Sequence, residues 1–218
     1  MKRILFRICI SLLLVPLLGH AQGTWDVGAR FIPQATTFRY TQGIGPLYDF
    51  LKISAPYYFR VRTAQGVGAT YNAFRNLHLG ADLLYSLQGG GYEQRKTNLS
   101  YIKLPLWIGY HAAAKRKLVF TIQSGIEWSY LVSAKVKYAD GAKENIKPSL
   151  TTISWGVPFA IGVKFRVLGA YYITILAYLY TDINSLSKTN RTFGVYNYSY
   201  PGLRISIDQP LNQLLKKK

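Results

Sequence analysis

The stretch Leu118-Val119-Phe120-Thr121-Ile122-Gln123-Ser124-Gly125-Ile126-Glu127-Trp128-Ser129-Tyr130-Leu131-Val132 decides the fold. Its even positions are Leu118, Phe120, Ile122, Ser124, Ile126, Trp128, Tyr130 and Val132. The odd ones include Thr121, Gln123, Gly125, Glu127, Ser129 and, further on, Lys135. Successive side chains of an extended chain point to opposite faces, so this period of two describes a strand with one greasy and one polar face. The split returns from Ile153 to Val167, where Trp155, Val157, Phe159, Ile161, Val163 and Phe165 alternate with Ser154, Gly156, Ala160, Gly162, Lys164 and Arg166. It returns again where Leu77, Leu79, Ala81, Leu83, Tyr85 and Leu87 alternate with His78, Gly80, Asp82, Ser86 and Gln88.

Working outward, five further segments carry the Tyr, Trp, Phe, Val and Ile content of strands: Trp25 to Phe38, Tyr57 to Phe74, Leu99 to Ala112, Tyr171 to Asp182 and Thr192 to Asp208. The total is eight. Tyr171 to Asp182 is apolar or aromatic on both faces, so its period does not orient it. Connections alternate in length. Arg75-Asn76, Ala113 to Lys117 and Leu168 to Ala170 are short, whereas Arg39 to Pro56, Gly89 to Asn98, Tyr138 to Ser149 and Ile183 to Arg191 are long. In bacterial outer-membrane barrels short turns are periplasmic and long loops extracellular, and an even strand number is the rule. The expected architecture is therefore an all-β, eight-stranded antiparallel up-and-down transmembrane β-barrel. The alternative is a soluble sandwich or lipocalin-like barrel, whose apolar face would point inward. Glycines and small residues on the polar face, an aromatic content of 15% and the short–long loop rhythm favour the membrane form. Trp25, Tyr57, Tyr85, Trp128 and Trp155 lie where interfacial aromatic girdles are expected.

Helical spanning is disfavoured. After the first twenty or so residues no uncharged stretch reaches the ~18 residues that a membrane helix needs; the longest, Pro148 to Val163 and Val167 to Thr181, are closed by Lys147, Lys164, Arg166 or Asp182. The chain opens with Lys2, Arg3 and Arg7, an apolar stretch from Ile8 to Leu18 and a small-x-small site at Gly19-His20-Ala21. That is the pattern of a cleavable export signal. The expected organisation is residues 1–21 as signal peptide, 22–208 as barrel and 209–218 as a basic tail. Cleavage would remove Cys9 and Met1, the single cysteine and the single methionine, which excludes disulfides and thiolate chemistry from the mature chain. It would also lower the formal charge of +18 to +15, because Lys2, Arg3 and Arg7 leave. An exported protein meets anionic lipid headgroups and lipopolysaccharide rather than nucleic acid, so the positive balance reads as membrane-facing and the expected site is the outer membrane of a Gram-negative bacterium.

The run Tyr101-Ile102-Lys103-Leu104-Pro105-Leu106-Trp107-Ile108-Gly109-Tyr110, then a short basic turn, then Phe120-Thr121-Ile122-Gln123-Ser124-Gly125-Ile126-Glu127-Trp128-Ser129-Tyr130-Leu131 resembles the central hairpin of PorT-type outer-membrane β-barrel proteins. Members commonly pair a Y-(I/L)-(K/E)-(I/L)-P-L strand with a Y-(L/I)-Q-(A/S)-G-x-x-x-(G/S)-Y-L strand. The resemblance extends over Trp25 to Asp208, and its specific part is this hairpin. It implies an eight-stranded outer-membrane barrel. Most such members lack a defined activity, and the namesake is linked to protein secretion across the outer membrane, so periplasmic or outer-membrane secretion proteins are the expected partners. The chain departs from many such barrels in not ending on an aromatic residue; Gln209 to Lys218 follows the last strand, so an insertion signal would have to be internal.

Catalytic candidates are few. His78, Asp82 and Ser86 share one strand face, but positions four apart on a strand are ~13 Å from each other, too far for one triad. Neither a His-Glu-x-x-His helix nor a clustered Asp loop is present, and Gly89-Gly90-Gly91 lacks the Lys-Ser/Thr ending of a phosphate loop. No enzyme activity, metal or cofactor is expected. The inward-pointing charges are Asp26, Arg30, Arg60, Arg62, Asp82, Lys103, Glu127, Lys164, Arg166 and Arg204, with bases outnumbering acids. An eight-stranded barrel is about wide enough for side chains to fill, so these residues are expected to plug the lumen as ion pairs. The alternatives are a narrow anion-preferring pore and a lipid-modifying enzyme.

Overall fold

The computed structural model describes residues 23–42, 57–74, 76–92, 95–112, 117–167, 171–188 and 193–215. The expected signal peptide and its cleavage site lie outside the described residues. In chain order the strands are β1 (Thr24–Gln42), β2 (Tyr57–Tyr58), β3 (Arg60–Asn72), β4 (Leu77–Gln88), β5 (Gly91–Tyr92), β6 (Arg95–Ala112), β7 (Leu118–Lys137), β8 (Lys143–Asn145), β9 (Ile153–Val167), β10 (Tyr171–Asp182) and β11 (Phe193–Pro210). The eight long strands pair antiparallel in the cycle β1–β3–β4–β6–β7–β9–β10–β11, and β11 returns to β1. The sheet closes on itself, which leaves no long edge strand. The short strands β2, β5 and β8 extend it beyond one rim.

The faces are inverted relative to a soluble protein. On β7, Leu118, Phe120, Ile122, Ile126 and Tyr130 are exposed, while Thr121, Gln123, Glu127 and Ser129 are buried. On β6, Ile102, Leu104, Leu106, Ile108 and Tyr110 are exposed, while Lys103, Trp107 and His111 are buried. A soluble barrel would expose the second set, so the alternative of a sandwich or lipocalin-like fold is excluded. Leu118 to Tyr130 spans twelve residue steps, ~40 Å of strand at ~3.4 Å per residue; a tilt of about 40° reduces this to ~30 Å of height, the thickness of a bilayer's hydrocarbon core. Aromatic residues mark both borders. Trp25, Phe74, Tyr110 and Tyr171 lie outside near one rim, and Tyr85, Tyr130 and Trp155 near the other, where Trp128 and Trp155 are cross-strand partners with ring centroids 4.9 Å apart. Of the five expected girdle residues, Tyr57 has a side chain outside the described ones.

Register explains what alternation alone did not. In β10 the luminal residues are the even ones: Thr174, Leu176, Tyr178, Tyr180 and Asp182 are all buried. In β7 the pairing with β6 shifts between Ser100 and Tyr101, whose partners are Ser133 and Leu131. Val132 is the extra residue of a β-bulge, and it reverses the faces beyond it. Ala134 and Val136 are therefore buried, and Lys135, expected on the luminal face, is exposed. A second shift near Tyr200 moves the luminal set of β11 from Gly202 and Arg204 to Asn197 and Ser199.

The end of β3, the start of β4, the end of β6, the start of β7, the end of β9 and the start of β10 share one rim with the start of β1 and the end of β11; the opposite strand ends share the other. Gly89 follows β4 with φ of 142°, a conformation that L side chains rarely adopt. The last strand runs to Pro210, beyond the expected end at Asp208, with Asp208 and Gln209 buried, and a five-residue helix α1 (Leu211–Leu215) lies against β1 and β11.

Candidate functional site: a filled lumen and a basic rim

The polar face of each strand meets the others across the lumen, and there the side chains stack in layers. Nearest the short-turn rim, Lys164 Nζ lies 3.0 Å from Asp26 Oδ2, which also accepts from Asn72 Nδ2 at 3.0 Å. Beside them the His78 and His111 rings stack at 4.0 Å between centroids; His78 Nε2 is 3.3 Å from Gln123 Oε1 and His111 Nδ1 is 2.8 Å from Thr121 Oγ1.

Above this layer Asp82 gathers donors from three other strands. Arg30 Nε reaches its Oδ1 at 2.8 Å, while Arg204 Nη2 and Trp107 Nε1 reach its Oδ2 at 2.7 and 2.9 Å. Arg30 Nη1 also meets Asp208 at 2.5 Å, and the Arg204 guanidinium lies 4.7 Å from the Trp107 ring centroid. Glycine supplies the room: a Cβ on Gly68 would sit 1.9 Å from Asp82 Oδ1 and 2.7 Å from Arg30 Nε, and one on Gly109 would strike the His78 ring at 2.3 Å. Ile32, Ala64, Leu84, Trp107, Ala160, Leu176, Tyr178 and Tyr180 then form a buried apolar cluster around the middle of the lumen.

Toward the long-loop rim a second polar layer follows. Lys103 Nζ lies 2.5 Å from Glu127 Oε1 and 3.7 Å from the Tyr180 ring centroid, and Ser129 Oγ donates to the same Glu127 oxygen at 3.2 Å. Tyr180 donates to Asp182, which accepts from the Asn197 backbone N–H at 3.0 Å, and Asn197 donates to Gln88. Over this layer Leu99, Tyr101, Leu131, Ala134 and Leu186 pack with Phe38, Ile146 and Leu150. The last two come from the β7–β9 connection and Leu186 from the β10–β11 connection; the two connections are joined by Thr151 N–H to Leu186 O at 2.7 Å. Two loops thus cap the lumen with apolar side chains.

Of the expected luminal charges, Arg30, Asp82, Lys103, Glu127, Lys164 and Arg204, with Asp26, are brought together as ion pairs. Among the described residues Arg60 and Arg62 form no ion pair of that set. Arg166 is exposed at the short-turn rim, and Arg60 and Arg62 lie where β3 runs past its pairing with β4, their guanidinium groups donating to Asn98 Oδ1 at 2.8 and 2.5 Å. The alternation reading did not single out Asp208, Asp182 or Trp107. Trp107 shares the parity of Lys103 on β6, so the pattern held the signal; Asp208 stood at the expected strand end, where alternation gives least. With Asp208 added, the ion pairs among the described residues join Arg30, Lys103, Lys164 and Arg204 to Asp26, Asp82, Glu127 and Asp208. The excess of base over acid expected there is absent from the paired set.

His78, Asp82 and Ser86 all face the lumen, each with a different partner: Gln123, the Arg30–Arg204–Trp107 set, and Gln34. Among the described residues no three His, Cys, Asp or Glu side chains group as metal ligands. Outside the bilayer span, the Tyr138 hydroxyl donates to Glu144, and that hydrogen bond raises its pKa above the usual phenol value.

Residues 20–189 match the family described as outer membrane protein beta-barrel domain. Among solved structures, Neisserial surface protein A is 13% identical, with 84% of this chain and 97% of that chain covered at a TM-score of 0.47. The outer membrane protein OprG from Pseudomonas aeruginosa is 10% identical, with 87% and 95% covered at 0.49. Ail, the attachment invasion locus protein of Yersinia pestis, was solved with the heparin analogue sucrose octasulfate; it is 8% identical, with 85% and 98% covered at 0.42. No curated protein sequence matches the chain.

Proposed function

The chain belongs to the outer membrane protein beta-barrel domain family, and from that premise we propose that it is a non-conducting, non-enzymatic barrel that works through its two ends, as a component of a secretion or assembly apparatus. The rim that carries the β7–β9 connection faces the cell exterior, the rim that carries the start of β1 and the end of β11 faces the periplasm, and the first 21 residues are removed on export. The observation that carries this reading is the filled lumen: two layers of buried ion pairs, an apolar cluster between them and an apolar cap leave the strand interiors engaged with each other. Such a barrel acts on other molecules from its rims or its outer wall. The anion-pore reading loses its motive because the paired luminal charges balance. The enzymatic reading loses it because His78, Asp82 and Ser86 are committed to separate partners.

The test is gentle solubilisation of the native outer membrane, isolation of the tagged protein and mass spectrometry of what accompanies it. A near-stoichiometric periplasmic or membrane protein is expected. A barrel that runs alone, with secreted proteins unchanged on deletion, would overturn the apparatus reading.

A further inference from the structure

Above the aromatic border at the long-loop end, β6, β7 and β8 continue as a three-stranded sheet. Lys96 is the direct partner of Lys137, and Lys137 of Lys143, so three lysines stand side by side on one face; Lys135, the partner of Asn98, stands on the same face one pair below. All four are exposed. The face is the outer one, because the alternate residues Ala134 and Val136 are buried, with Ala134 in the apolar cap. Like charges directly opposite each other in a sheet are destabilising, and among the described residues no carboxylate pairs with them. Glu144 pairs with Val136 on the opposite face and accepts from Tyr138, and Asp140 accepts from the Ala142 N–H.

Arg60 and Arg62 converge on Asn98 beside this row, sharing one amide oxygen, and neither forms an ion pair among the described residues. Arg60 Nη1 also donates to Thr97 O at 3.3 Å, and two guanidinium groups on these two neutral oxygens leave several of their donors available to an anion. The height of the patch names the anion. Asn98 lies four residues beyond Ile102, whose partner Tyr130 marks the aromatic border. That is ~13 Å along the strand and ~10 Å above the hydrocarbon edge, the depth of lipid headgroups. Lys147, whose Nζ donates to Val132 O at 2.9 Å and lies 5.9 Å from the Tyr130 ring centroid, places a further cation at the border itself.

We propose that Lys96, Lys135, Lys137 and Lys143 on the outer wall, with the Arg60 and Arg62 guanidinium groups reaching Asn98 beside them, form a docking surface for the phosphorylated sugar headgroup of an outer-leaflet saccharolipid. Its acyl chains lie against the exposed apolar band below, and its phosphates close the gap between like charges. The inference rests on the long-loop end facing the exterior.

The test uses the folded mature chain in non-ionic detergent at physiological ionic strength, titrated with a bis-phosphorylated diglucosamine lipid and with its phosphatase-treated counterpart, and read by native mass spectrometry. The wild type should retain the phosphorylated lipid at least tenfold more tightly than the dephosphorylated one. The triple variant Lys135→Gln, Lys137→Gln and Lys143→Gln should lose on the order of 100-fold, at about fivefold per charge near an anionic surface. Lys117→Gln, at the opposite rim, should leave binding unchanged. Arg62→Gln with Lys96→Gln gives a second, independent loss should the triple variant fail to fold. Equal retention of both lipids, indifference to both sets of substitutions, or displacement of the lipid by millimolar inorganic phosphate would overturn the proposal. Detergent binding does not depend on orientation in the cell, so failure here is distinct from failure of the orientation, which cysteine labelling tests separately.

Discussion

Asp82 accepts from Arg30, Arg204 and Trp107 on three different strands, and a group so placed fixes side chains across the lumen more firmly than any pairwise contact would. Removing one partner of a buried ion pair leaves an uncompensated charge, at about 3–5 kcal/mol, whereas replacing both by apolar groups of similar volume is often neutral. For the pair Lys103–Glu127, Lys103→Met or Glu127→Leu alone should therefore lower the urea midpoint of unfolding in detergent markedly, and the double variant should recover most of the loss. Equal losses in single and double variants would show that the pair contributes by something other than mutual neutralisation. Gly68 offers a steric counterpart. Its missing Cβ makes room for the Asp82–Arg30 contact, while a Cβ on Gly80 would meet neighbours at an ordinary 3.5 Å or more. Gly68→Ala should destabilise the barrel in the same assay and Gly80→Ala should not.

At the scale of the element, strand identity and extent follow from alternation because one face meets lipid and the other meets polar side chains. Outside the strands that remain half greasy and half polar the pattern loses its grip. Tyr171 to Asp182 was unorientable because its luminal side carries Leu176, Tyr178 and Tyr180, the apolar cluster that interrupts the polar lumen. A strict period of two puts Lys135 on the luminal face, and the bulge at Val132, which that period does not register, turns it outward. The luminal charge set is legible where strands are paired on both sides, as at Arg30, Asp82, Lys103 and Glu127; Arg60 and Arg62, opposite the buried Thr36 and Gln34, lie where β3 outruns β4 and donate to Asn98 instead of joining the ion pairs. The membrane-facing side makes its own prediction. Leu106 and Ile126 are paired neighbours in the middle of the apolar band, so Leu106→Arg should cost about 2–4 kcal/mol in bilayer-embedded stability, whereas Lys135→Gln, above the band, should change it little. A Leu106→Arg protein as stable as the wild type would mean that this face does not meet lipid.

For the whole molecule, the rim assignment is checkable because the mature chain is expected to carry no cysteine. Ala142→Cys, in the β7–β9 connection, should react with a membrane-impermeant maleimide in intact cells, and Lys117→Cys, at the short-turn rim, only after the outer membrane is opened. The reverse pattern would invert the orientation. Whether the lumen is filled from rim to rim is read from the current through the purified, folded protein in a planar bilayer. A filled barrel inserts without steady single-channel conductance in either polarity; a stable, ohmic, anion-preferring channel from the wild-type protein would show the interior to be open.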